Sequence, residues 1–201
     1  FVEPFNFDTT VNITDRSVKI NEVGSSSILN YTLQNGESFS VTLELPKGLV
    51  LLTSENYPEY ASKFDYEMPT VVAVKDGTPI GTLALYTFGT NDKDVLMQVD
   101  TTKNTMPMQI FAGVALSNHA MYDNYKVCKS SVTGANAVAN YSWQDLTNYG
   151  GEAPKAPWLK SDCVLAYDYE KAPFFINLNL TDGILSLKEL ENLAKSIVIT
   201  N

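Results

Sequence analysis

The clearest pattern of apolar and polar positions lies near the C-terminus. From Pro173 to Leu180, the residues Phe174, Ile176, Leu178 and Leu180 alternate with Phe175, Asn177 and Asn179, the period of two that marks a strand with one buried face. Asp182-Gly183 follows as a turn. Ser186 and Glu189 stand in the S-x-x-E spacing of a capping box, and Leu185 and Leu190 in that of a hydrophobic staple, so a helix is predicted to begin at Leu187. Leu187, Leu190, Ala194 and Ile197, with Leu193 beside them, form one apolar stripe on it. The preceding strand is the nearest surface on which to bury that stripe.

Upstream, the pattern predicts sheet. Short strands are expected over 17–20, 28–33 and 39–45, separated by Gly24-Ser25-Ser26-Ser27 and by Asn35-Gly36, a strong hairpin signal. In the third of them Phe39, Val41, Leu43 and Leu45 alternate with Ser40, Thr42 and Glu44, and Pro46-Lys47-Gly48 closes it. Residues 53–69 read as an acidic, aromatic-rich connection. A strand over 70–75 turns at Asp76-Gly77 into one over 80–88, which is apolar on both faces as a central strand should be. Residues 90–105 are a polar excursion, and 106–118 suit a helix through Ile110, Phe111, Val114 and Ala115, the reading preferred here, while their small residues would also suit a tightly packed strand. Four more strands are expected over 122–131, 137–144, 163–170 and 173–180. Short turns join antiparallel neighbours, which predicts an α+β fold: an antiparallel sheet of about six strands, helices packed on one face, and the amphipathic helix at the C-terminus. The organisation expected is an N-terminal arm with leading strands over 1–38 and a single domain over 39–201, long enough to bury a full core.

Charge narrows the classes of function. A net charge of -9 with a single arginine, Arg16, leaves little with which to bind phosphates, so neither a nucleic-acid surface nor an anionic membrane face is expected. No run of about eighteen apolar residues occurs, so no span is expected. A chain opening at Phe1 fits a secreted or lipid-anchored protein whose leader was removed, and equally an engineered boundary.

Few constellations carry chemistry. His119 is the only histidine, which excludes sites needing two imidazole ligands. Its pairing with Asp123 and Ser117 lacks a G-x-S-x-G elbow, and no motif surrounds Cys128 or Cys163 as a nucleophile. Asn91-Asp92-Lys93-Asp94 with Asp100 is rich in oxygen ligands but lacks the pattern of an EF-hand, so a solvated loop is expected and no metal. Triplets of the glycosylation type occur at Asn12, Asn30, Asn140 and Asn179, the last two in predicted strands.

A strand ending in the corner Leu45-Pro46-Lys47-Gly48, the Asp76-Gly77 hairpin into a strand containing Gly81, the strand start Tyr125-Lys126-Val127, and a last strand running into Leu190-x-x-Leu193-Ala194-Lys195-Ser196-Ile197 together resemble the Mog1/PsbP-like fold. More narrowly, the chain is similar over roughly 39–199 to small extracytoplasmic lipoproteins of Gram-positive gut-type bacteria. The resemblance implies a docking module without shared catalytic residues, and fold alone does not fix function.

The aromatics supply the remaining candidates. Tyr57 and Tyr60 fall in one long connection, and Trp143, Tyr149 and Trp158 in or beside another. Such rings anchor protein partners or stack on sugars, and equally pack inward over a sheet. The reading taken from the sequence is a non-enzymatic extracytoplasmic binding module without cofactors, engaging a protein or glycan at the cell envelope. The alternative is a carbohydrate-active or other carboxylate-dependent hydrolase with two acidic side chains about 5 to 9 Å apart. An even cysteine count suggests a Cys128–Cys163 disulfide in an oxidising compartment, against two separate buried thiols.

Overall fold

Turn residues set the first sheet. The computed structural model describes residues 17–53, 56, 71–87, 101–103, 120–128, 135–143, 160–168 and 170–201. In it β1 (Ser17–Val23) and β2 (Ser26–Thr32) are joined by Gly24-Ser25, with Gly24 at φ +64 as a type II′ hairpin asks of its first central residue. β2 runs into β3 (Ser38–Glu44) through residues 33–37, which close a three-residue loop of Gln34, Asn35 and Gly36: Gly36 N–H donates to Leu33 O and Leu33 N–H to Glu37 O, both at 2.9 Å. Gly36, at φ +87, takes the left-handed position that ends such a loop. From the far end of the chain β11 (Val198–Thr200) pairs with the other side of β3, giving the order β1-β2-β3-β11. A boundary between 38 and 39 therefore falls inside a paired hairpin. The leading strands share a sheet with the C-terminus.

The second sheet holds β4 (Leu49–Thr53), β5 (Val71–Lys75), β6 (Thr78–Thr87), β7 (Ala120–Cys128), β8 (Ala135–Trp143), β9 (Lys160–Tyr167) and β10 (Phe174–Thr181). Its order is β4-β5-β6-β10-β9-β8-β7, with every neighbouring pair antiparallel. The described residues thus form a mainly antiparallel fold of two sheets, four-stranded and seven-stranded, with one helix. The expected antiparallel sheet is present, with seven strands rather than about six and a second sheet of four beside it. The sequence pattern did not predict β4 or β11. The helix predicted over 106–118 lies outside the described residues.

Two joints hold this sheet in register. Asp76 and Gly77, at φ +49 and +79, form the tight β5–β6 hairpin, and Asp76 N–H donates to Gly48 O at 3.1 Å. The Leu45-Pro46-Lys47-Gly48 corner and the Asp-Gly hairpin are therefore one contact in space. A bulge between Ala73 and Val74 breaks the alternation of β6, so that Ile80 joins the same core as Leu83 and Leu85 instead of lying opposite them.

One face of the seven-stranded sheet is covered in two parts. The inner side of the small sheet, with Leu29, Tyr31, Phe39, Val41 and Leu43, packs with Leu83, Leu85, Phe174 and Ile176. The helix α1 (Leu187–Ser196) covers the β7–β9 side and touches β3. It begins as the sequence predicted. Ser186 is the N-cap, its Oγ accepts from Glu189 N–H at 3.3 Å, and Glu189 Oε2 accepts from Ser186 N–H at 2.8 Å. The bond from Ser186 N–H, then a second from the Ser186 hydroxyl to Glu189 Oε2 at 2.8 Å, holds the Glu189 carboxyl below the usual carboxylate range. Its far end is tied by Ser196, whose Oγ donates to Leu193 O at 2.7 Å and accepts from Glu44 N–H at 2.9 Å. Two details of the stripe differ from expectation. Leu187 is 44% exposed, and the buried apolar set is Leu190, Leu193 and Ala194, with Ile197 just past the helix. The helix packs on β7–β9 rather than on the strand before it, because Tyr31 and Phe39 already occupy the start of β10 through Phe174. Leu193→Ala is expected to cost about 2 to 5 kcal/mol in urea melts; a loss under about 0.5 kcal/mol would mean that the helix is not packed on the sheet.

The opposite face is buried as well. Val72, Val74, Cys163, Leu165, Tyr167, Phe175 and Asn177 lie there, and Tyr86 stacks on Phe175 at 5.6 Å. The two-sided apolar pattern of β6 agrees with this second buried face, whereas Asn177 made β10 read as polar on that side.

Candidate functional site

Strand directions fix where each candidate segment is attached. β4 ends at Thr53 beside Val71, so the segment carrying Tyr57 and Tyr60 is attached at that end of the sheet. Following the antiparallel order across the sheet, Trp143, the last residue of β8, and Lys160, the first of β9, lie at the opposite end. The connection 54–70 therefore leaves and rejoins the sheet at one end, between β4 and β5, and 144–159 at the other, between β8 and β9. Tyr57, Tyr60, Tyr149 and Trp158 themselves fall outside the described residues, as do Ser117, His119, the Asn91–Asp94 run with Asp100, and Asn12. Asp123 sits at a bulge in β7. Asn30, Asn140 and Asn179 all lie within paired strands, and Asn30 Oδ1 accepts from Ser40 Oγ at 2.8 Å.

The two cysteines do not form a disulfide. Both thiols are free and buried. The register gives the reason: β8 lies between their strands, with Cys128 opposite Asn136 and Cys163 opposite Ala139. Two strand spacings already exceed the roughly 7 Å that a bridge tolerates. Cys128 also belongs to the core under α1, whereas Cys163 lies on the other face and donates to Asn177 Oδ1 at 2.8 Å. Burial pushes both thiols up, Cys163 far beyond the ordinary range. A nucleophilic cysteine needs thiolate, so neither position suits covalent catalysis.

A polar cluster that the sequence reading missed sits where α1 meets β7. Glu191 Oε1 accepts from Lys126 Nζ at 3.0 Å and from Lys195 Nζ one helical turn on. The bond from Lys195, then that from Lys126, holds the Glu191 carboxyl down to about 2. The Glu191–Lys195 spacing is legible as a helix pair; Lys126 comes from a strand far away in sequence. Because the folded value lies below the ordinary 4.5, the cluster's stabilisation is present above that pH and lost as the pH falls toward 2. Glu191→Gln is expected to flatten the dependence of stability on pH across this window in urea melts at stepped pH. An unchanged slope would contradict the assignment.

Two buried carboxyls serve turns. Asp162, 1% exposed, accepts from Gly183 N–H at 2.9 Å and so fastens the turn that leads into α1. Its carboxyl is pushed up, first by burial and then by Asp182. Asp162 is buried and so closed to a substrate. Asp168 accepts from Glu170 N–H at 3.2 Å and shapes the β9–β10 connection. Among the described residues no helix is long and apolar enough to cross a membrane.

Comparison of the chain with protein-family models, with curated proteins and with solved structures finds no match.

Proposed function

We propose that the chain is a non-enzymatic binding or protein-interaction module that works outside the cytoplasm, as part of a secreted protein or lipoprotein. Its fold is read as α+β of the Mog1/PsbP-like kind, with helices over one face. The observation that carries the reading is the attachment of long aromatic-bearing segments to a sheet buried on both sides. Connections of this length on a rigid scaffold are where binding residues concentrate. The α1 layer over β7–β9 and the contact between the Leu-Pro-x-Gly corner and the Asp-Gly hairpin support the fold reading. The acidic balance favours a neutral or basic partner, protein or glycan, at the cell envelope. With both thiols free, the extracytoplasmic location rests on the resemblance rather than on a bridge.

The test uses the immobilised full chain, a Tyr57→Ala/Tyr60→Ala variant and a Trp158→Ala variant against an envelope fraction of the source cells. Capture of a partner by the parent chain, lost in at least one variant whose urea melt is unchanged, is expected. Equal capture by all three would overturn the role of these aromatic residues in binding. Release of reducing ends from an envelope glycan would establish the carboxylate-dependent hydrolase in its place.

A further inference from the structure

We propose that Asn35-Gly36 is a latent deamidation site that the folded β2–β3 loop holds shut, with Glu37 as the lock. The pair has the chemistry for ring closure. The Gly36 amide nitrogen loses its proton and attacks Asn35 Cγ, the bond to the side-chain nitrogen breaks, and ammonia leaves. Water then opens the cyclic imide at either carbonyl, giving aspartate or isoaspartate. The balance is amide plus water to acid plus ammonia, with no redox partner. Glycine at the second position offers no side chain to hinder the attack.

Three features of the loop oppose that step. Gly36 N–H donates to Leu33 O at 2.9 Å, which retains the proton that must leave and holds the nitrogen in the turn. The Asn35 side chain is pinned at both ends: Oδ1 accepts from Glu37 N–H at 3.0 Å, and Nδ2 donates to Glu37 Oε2 at 2.8 Å. The Glu37 carboxylate is thereby held against the reacting amide, where it opposes the negative charge that builds on the attacking nitrogen and the imide oxygen. Reaction would also undo the loop. An acid at position 35 would face the Glu37 carboxylate where Nδ2 now donates, and isoaspartate would lengthen the main chain between the paired residues Thr32 and Ser38.

The experiment incubates the full chain at mildly alkaline pH, folded and in urea, in heavy-oxygen water, and follows the Asn35 peptide by mass spectrometry. Conversion in urea is expected to exceed that in the folded chain by roughly tenfold or more, the factor that one charge-assisted hydrogen bond supports. Folded Glu37→Ala, which keeps the backbone donor but loses the Nδ2 acceptor, is expected to convert roughly tenfold faster than the folded parent, while in urea the two match. Glu37→Gln keeps an acceptor without the charge and is expected to fall between them; it also serves if the alanine variant does not fold. Equal rates for the parent in the two states would overturn the proposal. So would folded Glu37→Ala and Glu37→Gln both converting at the parent rate.

Discussion

Gly81→Ala is expected to destabilise the protein by about 3 kcal/mol or more, a large share of the roughly 5 to 15 kcal/mol that holds a domain folded. Gly81 lies in β6 opposite Leu180 of β10, and a β-carbon there would stand 2.0 Å from Asn179 O and 2.9 Å from Leu180 Cα. Both contacts are backbone atoms inside a paired ladder, so no side-chain rotation relieves them. In an unstrained position the same substitution would stabilise by up to about 1 kcal/mol through the unfolded chain. The sign of the effect therefore reports the close approach directly. Urea melts decide it, and a neutral or stabilising result would mean that β6 and β10 do not pair in this register.

Phe174→Ala is expected to cost about 3 to 5 kcal/mol. Phe174 opens β10, packs edge-on against Phe39 at 5.2 Å and lies 6.5 Å from Tyr31, so one ring joins the seven-stranded sheet to the four-stranded one. Because that joint belongs to one shared core, the variant should still unfold in a single transition, at lower urea and with unchanged slope. Splitting into two transitions, or a loss under about 1 kcal/mol, would mean that the two sheets are stabilised independently.

Local chemistry was readable in the chain. The capping box at Ser186 and Glu189 placed the start of α1 because its partners are three residues apart, and the turn residues Gly24, Gly36 and Asp76-Gly77 placed three hairpins. What failed to show was long-range. Asn177 and Asn179 gave β10 a wet face on paper, yet Asn177 is buried and accepts the Cys163 thiol hydrogen bond. The alternation of a strand says which residues share a side, but not whether a second layer covers that side. Lys126 gave no sign of its bond to Glu191, since their nearness depends on where α1 lands. Nor did the sequence say that the connections carrying the aromatics join the sheet at opposite ends, which follows from strand direction. An even number of cysteines likewise contains no information on register, and β8 separates the two.

The placement of that middle strand is the central structural claim, and thiol counting tests it most directly. Alkylation of the unfolded chain without reductant, read by intact mass, is predicted to add two groups, one each at Cys128 and Cys163. The folded chain, with both thiols buried and held protonated, should add none on the same timescale. An unfolded chain that takes up no alkyl group until reductant is added would show a Cys128–Cys163 bridge, which a sheet ordered β9-β8-β7 cannot contain.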